Sequence, residues 1–245
     1  MKNSGDAEDP RRRLLIQALT AGLFFTKMGM GSALADTIFG SRPSKLPAGQ
    51  SIYRISGKVT VNGNEATLQT PIGPNDTVQT AKDSEIVFVV GGNSMILRGD
   101  SQVTLQGEKE ESGSLLISGL RLLTGKLLSV SRNKGMQVQT ATATIGIRGT
   151  GMYLESDPEQ TYFCTCYGLS EISATTDPTS TDSVESKHHD KPLYILKDAQ
   201  PGKNIRRAPF INHTDPELTL IETLVGRTPP WVFSGSEYNA PRRDY

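Results

Sequence analysis

Lys58-Val59-Thr60-Val61-Asn62-Gly63 decides the fold class, because it is an alternating polar and apolar run that ends in Asn-Gly. A period of two places every second side chain on the same face of a β-strand. Asn-Gly is a strong signal for a tight hairpin turn, because both residues tolerate positive φ. The stretch therefore predicts two antiparallel strands joined by a two-residue turn.

The same period recurs between Ser51 and Ala174, at intervals of about eight to twelve residues with Gly, Asn and Asp between the runs. The predicted strands are Glu85–Val90 (ended by Gly91-Gly92), Ser94–Arg98, Gln102–Gln106, Ser114–Ser118, Lys126–Ser131, Met136–Thr140, Tyr153–Glu155, Thr161–Cys166 and Ser170–Ser173. About a dozen short strands predict an all-β sandwich or β-roll. A regular β-solenoid is disfavoured, because the runs have no fixed repeat length.

Residues 1–35 resemble a twin-arginine (Tat) export signal. Arg11–Arg13 precedes a moderately apolar run over Leu14–Thr26, and Ala33-Leu34-Ala35 is a small-x-small cleavage site. The apolar run of about 13 residues is shorter than the roughly 20 that cross a bilayer. We therefore predict a periplasmic protein without a stable membrane span after cleavage; a Sec signal and a retained anchor are the alternatives.

The remaining chain divides by composition into a linker at 36–50, a β-domain at 51–174 and an extension at 175–245. In the extension, residues 175–192 are polar without apolar spacing and predict a mobile loop, followed by a strand at Pro192–Leu196. Thr214-Asp215-Pro216-Glu217 is a helix start with a capping-box spacing. The apolar face of this helix is predicted to comprise Leu218, Ile221, Leu224 and Val225, with Gly226 ending it.

The charge balance excludes one class of partner. The chain has 26 basic and 26 acidic residues, whereas binding to nucleic acid phosphates needs a clear basic excess. Its basic doublets are isolated. We therefore expect no nucleic acid partner.

Four segments of the β-domain resemble the FecR domain, the periplasmic module named after the ferric-citrate regulator. They are Gly57–Gly63, Asp76–Glu85, Leu122–Leu127 and Val138–Thr150, the last matching the pattern V-x-T-x-x-A-x-x-x-x-R-G-T. The resemblance covers roughly residues 56–174 and implies an all-β, non-catalytic domain that senses or scaffolds outside the cytoplasmic membrane. Ferric-citrate regulators carry an anti-sigma segment before a membrane helix, whereas ten residues precede Arg11 here. We therefore expect the module rather than a transmembrane regulator.

The candidate site consists of the two cysteines and three histidines of the chain: Cys164, Cys166, His188, His189 and His213. Cys164 and Cys166 project to the same side if Thr161–Cys166 is extended. Two thiolates and two imidazoles suit zinc, and the same soft donors suit copper. The surrounding segments also resemble an extension on some exported bacterial FecR-domain proteins, a resemblance that implies no chemistry.

Other interpretations of these residues remain open. Cysteines in an oxidising compartment favour a disulfide or redox pair, although residues two apart in one strand are poorly placed for an S–S bond. The protein would then be a metal-free module that binds a ligand or an envelope protein partner. The histidines could also hydrogen-bond Asp190 and Asp215. Either carboxylate could orient an imidazole, but a helix-capping role is the preferred interpretation of Asp215.

Enzymatic motifs are not evident. Gly146–Gly151 is Gly-rich but lacks the order of a phosphate loop, and we interpret it as backbone geometry around a buried Arg148. No G-x-S-x-G elbow is present, and Tyr162, Phe163 and Tyr167 are expected in the core or at its rim. The sequence predicts a non-enzymatic, sensory or structural envelope protein. An enzyme would require a metal with an open coordination position.

Overall fold

The computed structural model of the chain describes residues 43–231, so the predicted export signal and residues 232–245 lie outside the described residues. The strands in this range are β1 (Ile52–Ser56), β2 (Val59–Val61), β3 (Asn64–Glu65), β4 (Thr77–Thr80), β5 (Glu85–Val90), β6 (Asn93–Leu97), β7 (Ser101–Lys109), β8 (Leu115–Val130), β9 (Lys134–Gln139), β10 (Ala143–Ser156), β11 (Gln160–Ala174), β12 (Thr181–Ser186), β13 (Leu193–Leu196) and β14 (Ile205–Arg207). One helix, α1 (Asp215–Leu224), follows them. The prediction of an all-β fold with one C-terminal helix is thus confirmed for this part of the chain.

The predicted hairpin joins β2 to β3. Asn62 and Gly63 have φ angles of 52° and 81°, and Val61 pairs with Asn64. Positive φ at both turn residues matches the twist of the flanking strands. Asn62 also holds the start of β4 in place, because its side chain accepts a hydrogen bond from the Thr77 amide at 2.9 Å.

Three strands are longer than the sequence runs suggest. β8, β10 and β11 have 16, 14 and 15 residues, and β8 joins two runs that the sequence predicts as separate strands. A glycine in positive φ lets β8 bend without ending. Gly125 has φ 95°, and a Cβ there would lie 1.9 Å from the Ser101 hydroxyl oxygen. Gly168 plays the same part in β11, with φ 93°.

These long strands change partners along their length and divide the sheet into two halves. What we call the exposed half comprises β2, β3, β4, β7, β9 and β12 with residues 115–124, 143–148 and 168–174 of the long strands. What we call the covered half comprises β1, β5, β6, β13 and β14 with residues 125–130, 151–156 and 160–167. Both halves contribute to one apolar core, for example Val138 and Ile145 from the first and Phe88 and Leu154 from the second.

The exposed half alternates between core and solvent. Ile145 and Ile147 are fully buried, whereas Arg148 next to them has a side chain that is 62% exposed and lies 3.4 Å from Glu171. The prediction that Arg148 is buried was therefore wrong. Its position follows from the period of two, which directs it outward once Ile147 enters the core.

The centre of the covered half is buried on both faces, whereas β14 at its edge is partly exposed. Residues 161–167 of β11 are all buried, which requires a second layer over the outer face. α1 supplies that layer by packing across β6 and β8. The predicted apolar face of the helix is largely confirmed, because Leu218, Ile221 and Leu224 are at most 1% exposed, while Val225 is half-buried.

The start of α1 follows the predicted capping box. The Thr214 hydroxyl accepts a hydrogen bond from the Glu217 amide, and the Glu217 carboxylate accepts one from the Thr214 amide at 2.9 Å. Arg98 donates to the same carboxylate at 2.7 Å. The cap therefore also fastens the helix to the loop after β6. No helix among residues 43–231 is long and apolar enough to cross a membrane.

The prediction of a loop over residues 175–192 was wrong in its centre. Thr181–Ser186 forms β12, which pairs antiparallel with β11 from Ser173↔Thr181 to Gly168↔Ser186. Only one large apolar side chain, Val184, enters the core from it, so the sequence carries little apolar signal. An edge strand needs little, because it has one partner and a solvated side. The strand predicted at Pro192–Leu196 is confirmed as β13.

Candidate metal centre

Four potential ligand side chains meet beneath the cover of the covered half. The sulfur atoms of Cys164 and Cys166 and one nitrogen each of His189 and His213 all lie within 4.8 Å of one another. Each of these residues is at most 3% exposed. Residues from β11, from the turn after β12 and from the segment before α1 therefore converge on one buried point.

β11 positions both cysteines. Cys164 pairs with Tyr153 and lies on the outer face of the covered half, whereas Phe163, one residue earlier, belongs to the apolar core. Cys166 lies where the register of this strand pair shifts, between Met152↔Thr165 and Gly151↔Tyr167, and its sulfur lies within 4.8 Å of that of Cys164. Both thiols are free.

The turn after β12 positions His189. Its φ of 55° is unusual for a residue that is not glycine, and its amide donates to the Cys166 carbonyl at 2.9 Å. The Asp190 carboxylate holds the turn by accepting from the Lys187 amide at 2.7 Å and the Ser186 hydroxyl at 3.2 Å. Asp190 thus shapes the backbone that presents the two histidines.

His213 is held by the residues before α1. Its ring stacks on Tyr153 with centroids 4.5 Å apart, and Phe210 lies against it at 4.5 Å. Its Nδ1 lies 2.7 Å from the Ile211 carbonyl oxygen. The cluster is therefore walled by aromatic rings, which exclude water from it.

His188 lies outside the four-atom cluster. Its Nε2 is 2.9 Å from both oxygens of Asp215, its side chain is 29% exposed, and its ring lies 4.9 Å from that of Trp231. His189 Nε2 lies 3.1 Å from the same carboxylate. The structure thus brings four of the five candidate ligands together and places the fifth beside them, across Asp215.

Asp215 orients histidine rings, the role that was less favoured from the sequence, and does not cap the helix. Thr214, not Asp215, is the N-cap of α1, and the Asp215 carboxylate orients the two adjacent histidines. Burial alone would raise the pKa of Asp215, but the hydrogen bonds from His189 and His188 lower it below its ordinary value. Asp215 is therefore an ionised acceptor.

The bonds on the far side of each imidazole determine its tautomer. The Ile211 carbonyl only accepts, so His213 donates from Nδ1 and keeps a lone pair on Nε2. The Asp215 carboxylate also only accepts, so neutral His189 donates from Nε2 and keeps a lone pair on Nδ1. His189 Nδ1 and His213 Nε2 lie 3.1 Å apart. When His189 is neutral, both carry lone pairs that one bound ion would satisfy; when it is protonated, Nδ1–H donates to His213 instead.

The spacing of the donor atoms fits a tetrahedral ion. Bonds of about 2.3 Å to sulfur and about 2.05 Å to nitrogen imply N···N, S···N and S···S distances of about 3.3, 3.6 and 3.8 Å. His189 Nδ1 lies 3.1 Å from His213 Nε2 and 3.5 Å from Cys164 Sγ. The donor chemistry therefore suits zinc or copper(I), and these two distances agree with a tetrahedral site; all four donor atoms lie within 4.8 Å of one another.

The electrostatics of the cluster favour one thiolate even without an ion. The hydrogen bond from Cys166 lowers the pKa of Cys164, against the effect of burial, and His189 and His213 lower it further. Burial raises the pKa of Cys166. Burial would lower the pKa of His189, but its hydrogen bonds to Asp215 and Cys164 raise it. A bound ion would displace the remaining thiol proton, because the thiolate is the ligand.

Sequence reasoning missed the residues that enclose the cluster. Tyr153, Phe210 and Trp231 carry no motif, and the Ile211 carbonyl is a backbone group that any residue could supply. Only Asp215, two residues after His213, offered a signal, and in the structure its carboxylate lies beside His188 and His189.

Residues 76–167 match the model of the FecR family, described as FecR protein. The match confirms the resemblance over that segment and includes both cysteines but none of the histidines. Two crystal structures of a protein assigned as an anti-sigma factor from Parabacteroides distasonis are similar at 12% identity, with TM-scores of 0.42 and 0.41. Each alignment covers 54% of this chain and 58% of that one, less than two thirds of its length. No curated protein matches the chain.

Proposed function

We propose that this chain, whose residues 76–167 match the FecR domain, is a non-enzymatic protein of the cell envelope that binds one transition metal ion in a structural or sensory role. The ligands are Cys164, Cys166, His189 and His213. The observation that carries the proposal is the convergence of their four donor atoms within 4.8 Å. Asp215 and the Ile211 carbonyl orient the two imidazoles, as outer partners of metal-bound histidines commonly do.

A structural or sensory role suits this donor set better than catalysis. Catalytic zinc sites keep one position open for water or substrate, whereas closed sites use four protein ligands. All four donors here are buried. They also come from three separated segments, so an ion would join the turn at His189 and the segment at His213 to β11.

The charge balance favours zinc over copper. Two thiolates and two neutral imidazoles carry a charge of about −2, which a divalent ion cancels and copper(I) does not. An uncompensated charge is costly in a buried site. Copper(I) remains the second candidate, because thiolates and imidazoles also bind it.

The envelope location and the expectation of a protein partner are supported by the FecR match. We also propose that the Tat-type signal predicted at residues 1–35, outside the described residues, exports to the periplasm a protein already folded around its cofactor. We propose that the partner is another envelope protein, and that no nucleic acid is bound, consistent with the balanced charge.

The alternative is a metal-free binding module in which Cys164 and Cys166 act as a redox or disulfide pair. The lowered pKa of Cys164 favours it, because the thiolate is the reactive form. Burial opposes it, since both cysteines are 0% exposed and exchange requires access to the sulfur.

The two candidates are separated by elemental analysis of full-length protein purified from the compartment to which it is exported. We expect one zinc ion per chain in the wild type, none in Cys164→Ser/Cys166→Ser, and a large loss in His189→Gln. His188→Gln is the matched control, because it removes the neighbouring imidazole that lies outside the four ligands. Equal metal content in the wild type and the double variant would refute the site, and a disulfide in metal-free wild type would establish the alternative.

A further inference from the structure

A second group of potential ligands adjoins the metal centre on its solvent side. His188 Nε2, His189 Nε2 and an Asp215 oxygen lie within 4.8 Å of one another. The side chains of His188 and Asp215 are 29% and 26% exposed, whereas the four inner ligands are at most 3% exposed. The outer group is therefore open to solvent where the inner cluster is closed.

The inner cluster and the outer group share the imidazole ring of His189. His189 Nδ1 faces the inner cluster, 3.5 Å from Cys164 Sγ, and His189 Nε2 faces Asp215 at 3.1 Å. A neutral imidazole has one lone-pair nitrogen, so it binds an ion through one face at a time. With an ion on the outer side, Nδ1–H can donate to His213 Nε2, 3.1 Å away. With an ion on the inner side, Nε2–H donates to Asp215.

We propose, resting on the metal site proposed above, that His188 and Asp215 form an entry site that captures a divalent ion and passes it to the inner ligands past the ring of His189. An imidazole and a carboxylate are ligands that zinc and cobalt accept. Two or three ligands hold an ion more weakly than four, so the ion moves inward to the thiolates. The shared ring makes the two sites successive positions of one ion.

A purely orienting role for His188 and Asp215 gives a different result. Groups that only orient a ligand change the affinity for the ion at equilibrium. An entry site changes the rates of loading and release by the same factor and leaves the affinity unchanged. His188 suits this test, because it contacts Asp215 and Trp231 and lies outside the group of four inner donors.

Loading is measured by mixing reduced, metal-free full-length protein with Co²⁺. Absorbance from thiolate-to-cobalt charge transfer reports arrival at the cysteines. Fluorescence of Trp231, the single tryptophan of the chain, reports an ion at either position, because its ring lies 4.9 Å from that of His188 and 6.1 Å from that of His189. Only the order of the two signals therefore reveals the entry site. In the wild type we expect the fluorescence change to precede the charge-transfer band.

His188→Gln is expected to slow the charge-transfer phase severalfold, because it removes one of the two side chains of the entry site, with the same final absorbance and affinity. Lys187→Gln is the control on the same turn, because losing a positive charge cannot slow the approach of a cation. Equal rates in the wild type and His188→Gln, or a lower affinity at an unchanged rate, would overturn the entry site alone. A wild type that never develops the band would overturn the metal site as well.

Release provides a second measurement that does not depend on the stability of the metal-free chain. Zinc-loaded protein is mixed with excess chelator, and the loss of zinc is followed over time. Because the affinity is unchanged, release from His188→Gln is expected to slow by the same factor as loading. Release at the wild-type rate would contradict the entry site.

Discussion

The two halves of the sheet are built from the same long strands, yet their outer faces differ. In the exposed half, β10 alternates buried Ile145 and Ile147 with Thr144 and Gly146, which are half-buried. In the covered half, the same strand buries Met152, Tyr153 and Leu154 in succession. The difference lies in what covers each face: solvent in the first case, α1 and the segment before it in the second.

This comparison shows that the extension after residue 174 completes the β-fold. Without α1 and the segment before it, outer-face side chains such as Leu128 and Tyr153, both 0% exposed, would face water. The proposed metal centre lies on the same face, where the cover meets β11. Burial of that face and the proposed binding of an ion therefore depend on the same C-terminal segment.

Removal of the proposed metal ion is expected to have the largest effect on stability. It should destabilise the cover of the covered half and leave the exposed half nearly unchanged. An ion at about a thousand times its Kd stabilises the folded state by about 4 kcal/mol. Chelation should therefore increase hydrogen exchange at residues 187–190 and 209–224, with little change in β9. Acidification should act in the same direction, because protons compete for the thiolates and imidazoles. Equal changes in both halves would show that the cover is not coupled to the ion.

Loss of a buried ion pair made by α1, which covers this half, is expected to have the next largest effect. Glu222 is 0% exposed and accepts from Arg227 Nε at 2.5 Å, from Arg132 at 3.1 Å and from the Tyr167 hydroxyl. Glu222→Ala should lower the free energy of unfolding by about 3 kcal/mol, the low end for a broken buried pair, because Arg132 is 40% exposed.

The matched variant in the exposed half is Glu171→Ala. Glu171 and Arg148 have side chains that are 60% and 62% exposed, and an exposed pair contributes less than about 1 kcal/mol. Urea unfolding of both variants measures the difference. Similar losses would contradict the distinction between the two halves.

The smallest expected difference in the free energy of unfolding is between two truncations of apolar side chains, one in α1 and one in β8. Ile221→Val in α1 removes one methylene from a residue that is 0% exposed and should cost about 1 kcal/mol. Leu123→Ala removes more carbon from β8, but Leu123 is 39% exposed, and the change should stay within about 0.5 kcal/mol. A larger loss for Leu123→Ala would indicate that a partner or another segment covers the exposed half.

Local signals in the sequence predicted many elements. The Asn62-Gly63 turn, the strand at Glu85–Val90 and the capping box at Thr214 depend on neighbouring residues, and the structure confirms each. β12 escaped prediction because an edge strand needs few apolar residues. Arg148 was misplaced because the chemistry of one residue was given more weight than the period of its strand.

The candidate site was predictable in its residue types and unpredictable in its arrangement. The Cys-x-Cys spacing is enough to place both sulfurs on one face of an extended strand. Neighbouring residues in the sequence do not reveal that His189 joins the inner cluster while His188 stays outside it. The positive φ of His189 and the hydrogen bond from its amide to the Cys166 carbonyl direct its ring toward the cysteines.

By itself, the sequence determined the β period, the tight turn, the helix start and which side chains could ligate a metal, because each of these rests on contacts between residues close in the chain. Only the tertiary structure decided that α1 covers the outer face of β6 and β8, that His213 meets Cys164, and that Asp215 joins two histidines. Those contacts connect residues roughly 25 to 120 positions apart, and their geometry depends on the packing of the whole sheet.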